Sequence, residues 1–254
     1  MESITKRNQT RSINIALIGY GVMGQEVEKA ALARGHKILA KIDPKGPDLS
    51  INRATLQNAE VCIEFTHPDQ VFENIRKAAQ EKRNLVVGTT GWHDRVEEVK
   101  QIVKEEGIGL IYAPNFALGV YLFQKLAEEA AKIMNGYEEF DVGIVEFHHK
   151  FKKDAPSGGA FQLGNTLLKH IKRKKRLVTH VDGAIGSEDI HVSSVRAGHI
   201  PGTHTVVFDS PVEGIEITHT SRGKQGFATG AVKAAEWIAD KVGFYTLDDL
   251  YGGI

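Results

Sequence analysis

Ile13-Asn14-Ile15-Ala16-Leu17-Ile18-Gly19-Tyr20-Gly21-Val22-Met23-Gly24 decides the fold. Six residues of strand character run directly into Gly-x-Gly-x-x-Gly, and Gln25 to Arg34, closed by Gly35, reads as a helix. The hexad stands in the strand–turn–helix setting that a dinucleotide site requires. Gly19 permits a tight turn, Gly21 lets a pyrophosphate approach the backbone, and Gly24 lets the helix pack on the strand. Tyr20, Val22 and Met23, between the glycines, belong to the same expected contact surface.

The pattern repeats outward from there. His36 to Ile42 reads as a second strand ending at Asp43, about where an acid is expected to take the ribose hydroxyls. A carboxylate there would repel a 2′-phosphate and favours NADH, while Lys41 and Lys45 beside it leave room for NADPH; a plain turn at Asp43-Pro44-Lys45-Gly46 is the other reading. Val61-Cys62-Ile63-Glu64-Phe65-Thr66 is a further strand, followed by a helix from Asp69 to Gln80. Asn84 to Val87 ends in Gly88-Thr89-Thr90-Gly91, small and hydroxyl residues against which a flat ring can lie. A helix over 93–106 leads to the strand Gly109 to Tyr112 and then to Ala113-Pro114-Asn115-Phe116. Strands alternating with helices imply a Rossmann-like, doubly wound parallel sheet with its ligand crevice at the strands' carboxyl ends.

Composition narrows the classes. The 254 residues carry 32 Lys+Arg against 32 Asp+Glu, so no net field favours nucleic acid or an anionic membrane. Forty-one per cent hydrophobic residues suffice for a full core, and no apolar run approaches the roughly 18 residues of a membrane span. The single Cys62 reads as a small core residue and cannot form an internal disulfide, which fits a reducing compartment. The first twelve residues are polar and read as a short tail, so a cytoplasmic location is expected.

In the second half, a helix over 119–135 precedes the apolar strand Val142-Gly143-Ile144-Val145. Then comes Glu146-Phe147-His148-His149-Lys150-Phe151-Lys152-Lys153-Asp154-Ala155-Pro156-Ser157-Gly158-Gly159-Ala160, leading into a second helix. Adjacent His148 and His149 point to opposite sides of an extended chain. His148 and Lys152, four apart, share a face. Ser157 suits an N-cap, leaving the amides of Gly158, Gly159 and Ala160 as an anion site. An imidazole, a cation and an amide nest suit a small anionic substrate that needs a proton; the alternative is a basic surface loop with a capped helix. The block Lys169 to Arg176 reads as a solvated helix end rather than a nucleic-acid contact. Ile190 to Val195 and Thr203 to Asp209 alternate like antiparallel strands, Gly214 to Thr220 adds another, and a mixed or antiparallel sheet with helices on one face follows. Arg196 reads as a partner across that sheet, while His204 stays open between a site residue and a buried sheet residue.

Glu-x-His-His-x-x-Lys-x-Asp-Ala-Pro-Ser-Gly at 146–158 resembles the signature of the dihydrodipicolinate reductases, the 4-hydroxy-tetrahydrodipicolinate reductases of lysine and diaminopimelate synthesis. Phe65-Thr66, Gly88-Thr89-Thr90-Gly91, Ala113-Pro114-Asn115-Phe116 and the Arg196…His204 segment are similar to that family too, and the likeness spans essentially residues 13–253. It implies a nucleotide domain over 12–117, completed by 226–254, and a substrate and oligomerisation domain over 118–225. It further implies NADH or NADPH as cofactor and a small dicarboxylate substrate. His148 would be the general acid and Lys152 a second donor, with His149, Ser157, Gly158 and Gly159 holding substrate. Phe65, Thr66, Gly88, Thr89, Thr90 and 113–116 would line the nicotinamide, no metal is implied, and the family is usually a homotetramer. Gly159 departs from the family's Thr, and the basic group before Phe227 is either Arg222 or Lys224. Two alternatives remain: another Rossmann dehydrogenase acting on an imine or aldehyde, or a non-catalytic dinucleotide sensor or nucleic-acid binder.

Overall fold

The computed structural model describes residues 11–43 and 50–252. In chain order the elements are β1 (Asn14–Ile18), α1 (Val22–Ala33), β2 (Lys37–Ile42), the short α2 (Arg53–Leu56), β3 (Val61–Glu64), α3 (Val71–Gln80) and β4 (Asn84–Val87). A 3-10 turn (His93–Arg95), α4 (Val96–Glu106) and β5 (Gly109–Tyr112) follow. Next come α5 (Leu118–Met134), β6 (Asp141–His148), α6 (Gly158–His170), β7 (Arg176–Val178), β8 (Asp189–Arg196), β9 (Thr203–Asp209) and β10 (Gly214–Thr220). The chain returns through α7 (Gln225–Ile238), β11 (Gly243–Tyr245) and α8 (Leu247–Tyr251). The described residues form two compact units, one of those up to Ala117 together with those from Lys224 onward, the other Leu118–Gly223.

The first unit is a six-stranded sheet in the order β11-β5-β4-β3-β1-β2, with every pair parallel. Both faces are covered, as the apolar run of β1 requires. Ala16 and Ile18 join a core with α3 and α4, while Ile15 and Leu17 join a second core with α1 and α7. Each such isoleucine or leucine side chain contributes roughly 1.5–3 kcal/mol by leaving water. Asn84 ties the layers at one point: its amide donates to the carbonyls of Ile238 at 2.7 Å and Ala239 at 2.9 Å and accepts from Gly109 N at 2.7 Å. That cap ends α7 where β11 must begin. Cys62 is fully buried in this sheet, and burial pushes its thiol up to about 12.

The second unit is a mixed sheet, β10-β9-β6-β8-β7, with α5 and α6 packed on one face against Val142, Ile144, Ile190, Val192, Val206 and Phe208. The fold class expected from the sequence is the one found. Two local readings change. β8 and β9 do not pair with each other; β6 lies between them, parallel to β8 and antiparallel to β9. The strand begun at Val142 also runs on to His148, so Glu146 and His148 fall in the inward-facing alternation instead of in a loop. The basic block is more than a solvated helix end. Arg173 donates to the carbonyls of Met134 and Phe140, and buried Lys174 bonds the carbonyls of Ser187 at 2.8 Å and Asp189 at 2.9 Å and pairs with Asp141. Those two cations knit the end of α5 to β6 and β8.

Candidate active site

At the carboxyl ends of β1, β2, β3 and β4, where strand order reverses around β1, the first unit holds a cleft of about 630 Å³. Gly19, Tyr20, Gly21, Val22, Met23, Asp43, Phe65, Thr66, Gly88, Thr89 and Thr90 line it, as does Lys224. Gly19 has φ +91, and a Cβ there would overlap the Phe65 carbonyl, so position 19 of the β1–α1 turn admits no side chain. Gly21 is the N-cap of α1 with nothing within 4 Å of a Cβ position, and the first helical turn carries neither a capping side chain nor an acid. Open space over uncapped amides at a helix's positive end fits a pyrophosphate. Asp43 accepts from Tyr20 N at 3.1 Å, placing its carboxylate beside the glycine turn at the end of β2. Lys41 pairs with Glu28 at 2.5 Å and donates to the Tyr20 hydroxyl at 3.2 Å. Lys45 lies outside the described residues.

The flat ring that lies against Gly88 is the protein's own: a Cβ at 88 would overlap the Phe65 ring. Thr89 is buried, its hydroxyl accepting from Thr66 N at 2.8 Å, and only its edge reaches the cleft. Ala113, Pro114, Asn115 and Phe116 are not in the lining. Ala113 and Phe116 are core residues, Phe116 edge-on to Phe65 at 6.4 Å, and Asn115 accepts from Ala117 N at 2.9 Å. Gly24 stands behind the wall, its α-carbon against Gly19.

The second unit assembles its titratable groups around a carboxylate. Glu146 on β6 is wholly buried. It accepts from Ser157 N at 2.9 Å, the Ser157 hydroxyl, Ser194 Oγ at 2.8 Å and Arg196 Nη2 at 2.7 Å. His148 Nδ1 and His204 Nε2 lie 3.3 and 3.4 Å from it. Burial alone would raise the Glu146 carboxyl, but donors from His204, Ser157, Arg196 and Ser194 hold it far below the carboxylate range. Burial pushes His148 down to about 4; Glu146 opposes this, while His204, Lys152 and Arg196 reinforce it. Its ring is nearly buried and stands edge-on to His204 at 5.1 Å. His149 takes the other side, its ring 6.3 Å from Phe151. Lys152 pairs with Asp154 at 2.9 Å. Ser157 caps α6, accepting from Ala160 N at 3.2 Å.

Two family models tile the chain: "Dihydrodipicolinate reductase, N-terminus" over residues 13–116 and "Dihydrodipicolinate reductase, C-terminus" over residues 119–251. The chain belongs to the dihydrodipicolinate reductase family. A 4-hydroxy-tetrahydrodipicolinate reductase of Christiangramia forsetii is 40% identical over 238 residues, covering 94% of this chain and 97% of the relative. One from Archaeoglobus fulgidus is 38% identical over 90% of this chain and 95% of its own. A solved dipicolinate-bound dihydrodipicolinate reductase from Paenisporosarcina sp. shares the fold with a TM-score of 0.75 at 24% identity, covering 94% of this chain and all of that one.

Two members of the cluster, Glu146 and His204, carry no local sequence signal that assigns them to it. Glu146 belongs to the quoted signature, but its function as a hub depends on partners about 50 residues away in sequence. His204 was left open and stands in the cluster, 3.2 Å from the Ser157 hydroxyl. Arg196 does pair across the sheet, and its partner is this same Glu146. Lys224, not Arg222, supplies the cation in the cleft lining. Glu146, His148 and His204 place ligand atoms within 4.8 Å of one another, yet the Arg196 guanidinium on the shared carboxylate opposes a metal cation there.

Proposed function

We propose that this protein reduces 4-hydroxy-tetrahydrodipicolinate to tetrahydrodipicolinate with loss of water, using NADH or NADPH, in lysine and diaminopimelate biosynthesis. The support is the end-to-end family match together with an anion-ready dinucleotide cleft and the His148–Lys152 loop in one chain. When bound, the reduced nicotinamide supplies the hydride. Loss of water leaves a conjugated imine ring, which takes that hydride at one carbon and a proton at the neighbouring carbon. His148 delivers the proton, and Lys152 with the amides of Gly158 and Gly159 holds a ring carboxylate. His149, whose Nδ1 has no hydrogen-bond partner, contacts the substrate from the other side of the loop. Ser157 acts by shaping this mouth, since its amide and hydroxyl are both engaged by Glu146. Gly159 keeps the backbone amide where family members carry a Thr hydroxyl.

At neutral pH the resting His148 is uncharged, so the acid must be loaded. A dianionic ring brought beside it reverses the local field, and substrate binding is thereby linked to proton uptake. Asp43 beside the glycine turn supports a preference for NADH. Among the described residues no helix is long and apolar enough to cross a membrane. A cytoplasmic location is supported by the lone buried cysteine. A homotetramer is supported by the second sheet's face away from α5 and α6, where Val145, Ile185 and Val207 line an uncovered depression.

The test is spectrophotometric: loss of reduced nicotinamide in the presence of the freshly formed condensation product of pyruvate and aspartate semialdehyde. Turnover that collapses in His148→Gln while NADH affinity holds is the expected result. No oxidation of either cofactor, or equal loss of turnover and affinity, rejects the reading.

A further inference from the structure

The carboxylate of Glu146 has about four lone-pair positions, two on each oxygen. Oε1 is crowded by three donors on its two positions, Ser157 N, Ser194 Oγ and Arg196 Nη2, and has no room for an imidazole. Oε2 takes the Ser157 hydroxyl and retains one position, with two imidazole nitrogens standing 3.3 and 3.4 Å away. His148 Nδ1 is buried and has no aligned hydrogen-bond partner. The opposite nitrogen, Nε2, faces the bare α-carbon of Gly202, where a Cβ would stand 3.1 Å away. Resting on the reading of His148 as the acid, we propose that Glu146 is a positioning residue for the reaction. It takes the hydrogen of His148 Nδ1, so that Nε2 is the atom that delivers the proton, and His204 competes with His148 for the one free position on Oε2.

A carboxylate on one imidazole nitrogen fixes the tautomer and favours the charged ring, which is what a proton donor needs. The groups that face His148 are Glu146 on its own strand, His204 on β9, Arg196 on β8 and Lys152 in the following loop. Of these only Glu146 favours the imidazolium. His204 also faces the Ser157 cap of α6 and His219 on β10. The two partners therefore act with opposite sign. Removing the carboxylate makes His148 harder to charge; removing His204 makes it easier.

Those opposite signs separate a positioning role from a structural latch between β6, β8 and the α6 cap. The histidines of the full chain, free of substrate and cofactor, are titrated by NMR with labelled imidazole nitrogens in wild type, Glu146→Gln and His204→Gln. Glu146→Gln is expected to move the His148 titration to lower pH by roughly one unit or more and to shift its neutral form from Nδ1–H to Nε2–H. His204→Gln is expected to move it upward. The alkaline limb of kcat/KM, along which the protonated donor is lost, moves in the same two directions, with NADH affinity unchanged. Two folded variants with an unmoved His148 titration, or shifts of the same sign, overturn the proposal. If Glu146→Gln does not fold, the His204→Gln shift alone decides, and it must be upward. Retained turnover in His148→Gln alongside the two opposite shifts rejects the catalytic reading beneath the proposal, a result distinct from failure of the carboxylate coupling.

Discussion

Gly21 and Gly24 are three residues apart in one motif, and the structure assigns them different work, so alanine at each should fail differently. At Gly21 a methyl meets nothing within 4 Å, and the backbone, at φ −71 and ψ −157, is open to any residue. Ala is a somewhat poorer N-cap than Gly, by up to about 1 kcal/mol, while the unfolded chain loses entropy worth about 0.4–1 kcal/mol in the opposite direction. The net is within about 0.5 kcal/mol, a Tm change of about 2 °C or less for a chain of this size. The same methyl fills the space over the first amides of α1 and pushes a pyrophosphate out of hydrogen-bond reach. Loss of one charge-assisted bond, about 1.5–3 kcal/mol, weakens the dinucleotide roughly 10- to 150-fold. At Gly24 a Cβ would fall within 3 Å of the Gly19 carbonyl oxygen, and only backbone movement relieves it. Overpacking of that kind costs about 1–3 kcal/mol or more.

Scanning calorimetry with fluorescence titration of NADH reads both effects. Gly21→Ala should keep its Tm and lose affinity; Gly24→Ala should lose several degrees. If Gly21→Ala binds NADH as wild type does, the pyrophosphate does not sit on that helix end. If it unfolds early, Gly21 is a packing residue and the division of labour is wrong.

Two further substitutions probe the first unit. Glu236 is bound by Arg34 at 2.6 and 2.8 Å and by His36 at 2.7 Å, and although burial favours its neutral form these partners hold the carboxyl below the usual range; Glu236→Gln should cost about 1–3 kcal/mol in urea unfolding. A depressed carboxyl stabilises above the ordinary glutamate range and loses that contribution as pH falls through its folded value, so the gap between wild type and variant should close in acid and persist at neutral pH. Gly88→Ala drives a methyl into the Phe65 ring and should lower Tm by several degrees, whereas Thr90→Ala at the exposed cleft edge should leave Tm unchanged.

The parts of this fold legible in sequence are those whose signals are local. The run 13–24 carries strand, turn and helix within a dozen residues, and β4, β5, β9 and β10 lie where alternation and apolar runs place them. β7 and β11 are three residues long, too short for any period, yet β11 completes the sheet because Asn84 and Gly109 prepare its edge. The order of β8, β6 and β9 was hidden because pairing partners are chosen by tertiary packing, not by neighbourhood in sequence. Buried Lys174 misled because a lysine inside a basic run looks solvated until three oxygens are brought to it. Glu146 and His204 are the same lesson in the site. Each is an ordinary residue in an alternating strand, and only the register of three strands and a helix cap makes them neighbours.

The Lys152 loop shows a consequence of that register for substrate binding. Lys152 holds Asp154 at 2.9 Å, and the Asp154 carboxylate also takes the Gly158 amide, the lysine coming first among the effects that lower its pKa. These are the groups proposed to grip a ring carboxylate, so in the resting protein an internal carboxylate already stands where the substrate's must go. The displaced pair is more than half exposed on the aspartate side, and such pairs are worth about 0.2–1 kcal/mol. Asp154→Asn should therefore tighten a dicarboxylate such as dipicolinate by roughly 1.4- to 5-fold, with kcat unchanged and the advantage shrinking as salt rises. Calorimetric titration of both proteins at two ionic strengths measures it. Weaker binding by Asp154→Asn would mean that the aspartate orients Lys152 for the substrate rather than competing with it, and the order of events at the loop would have to be reversed.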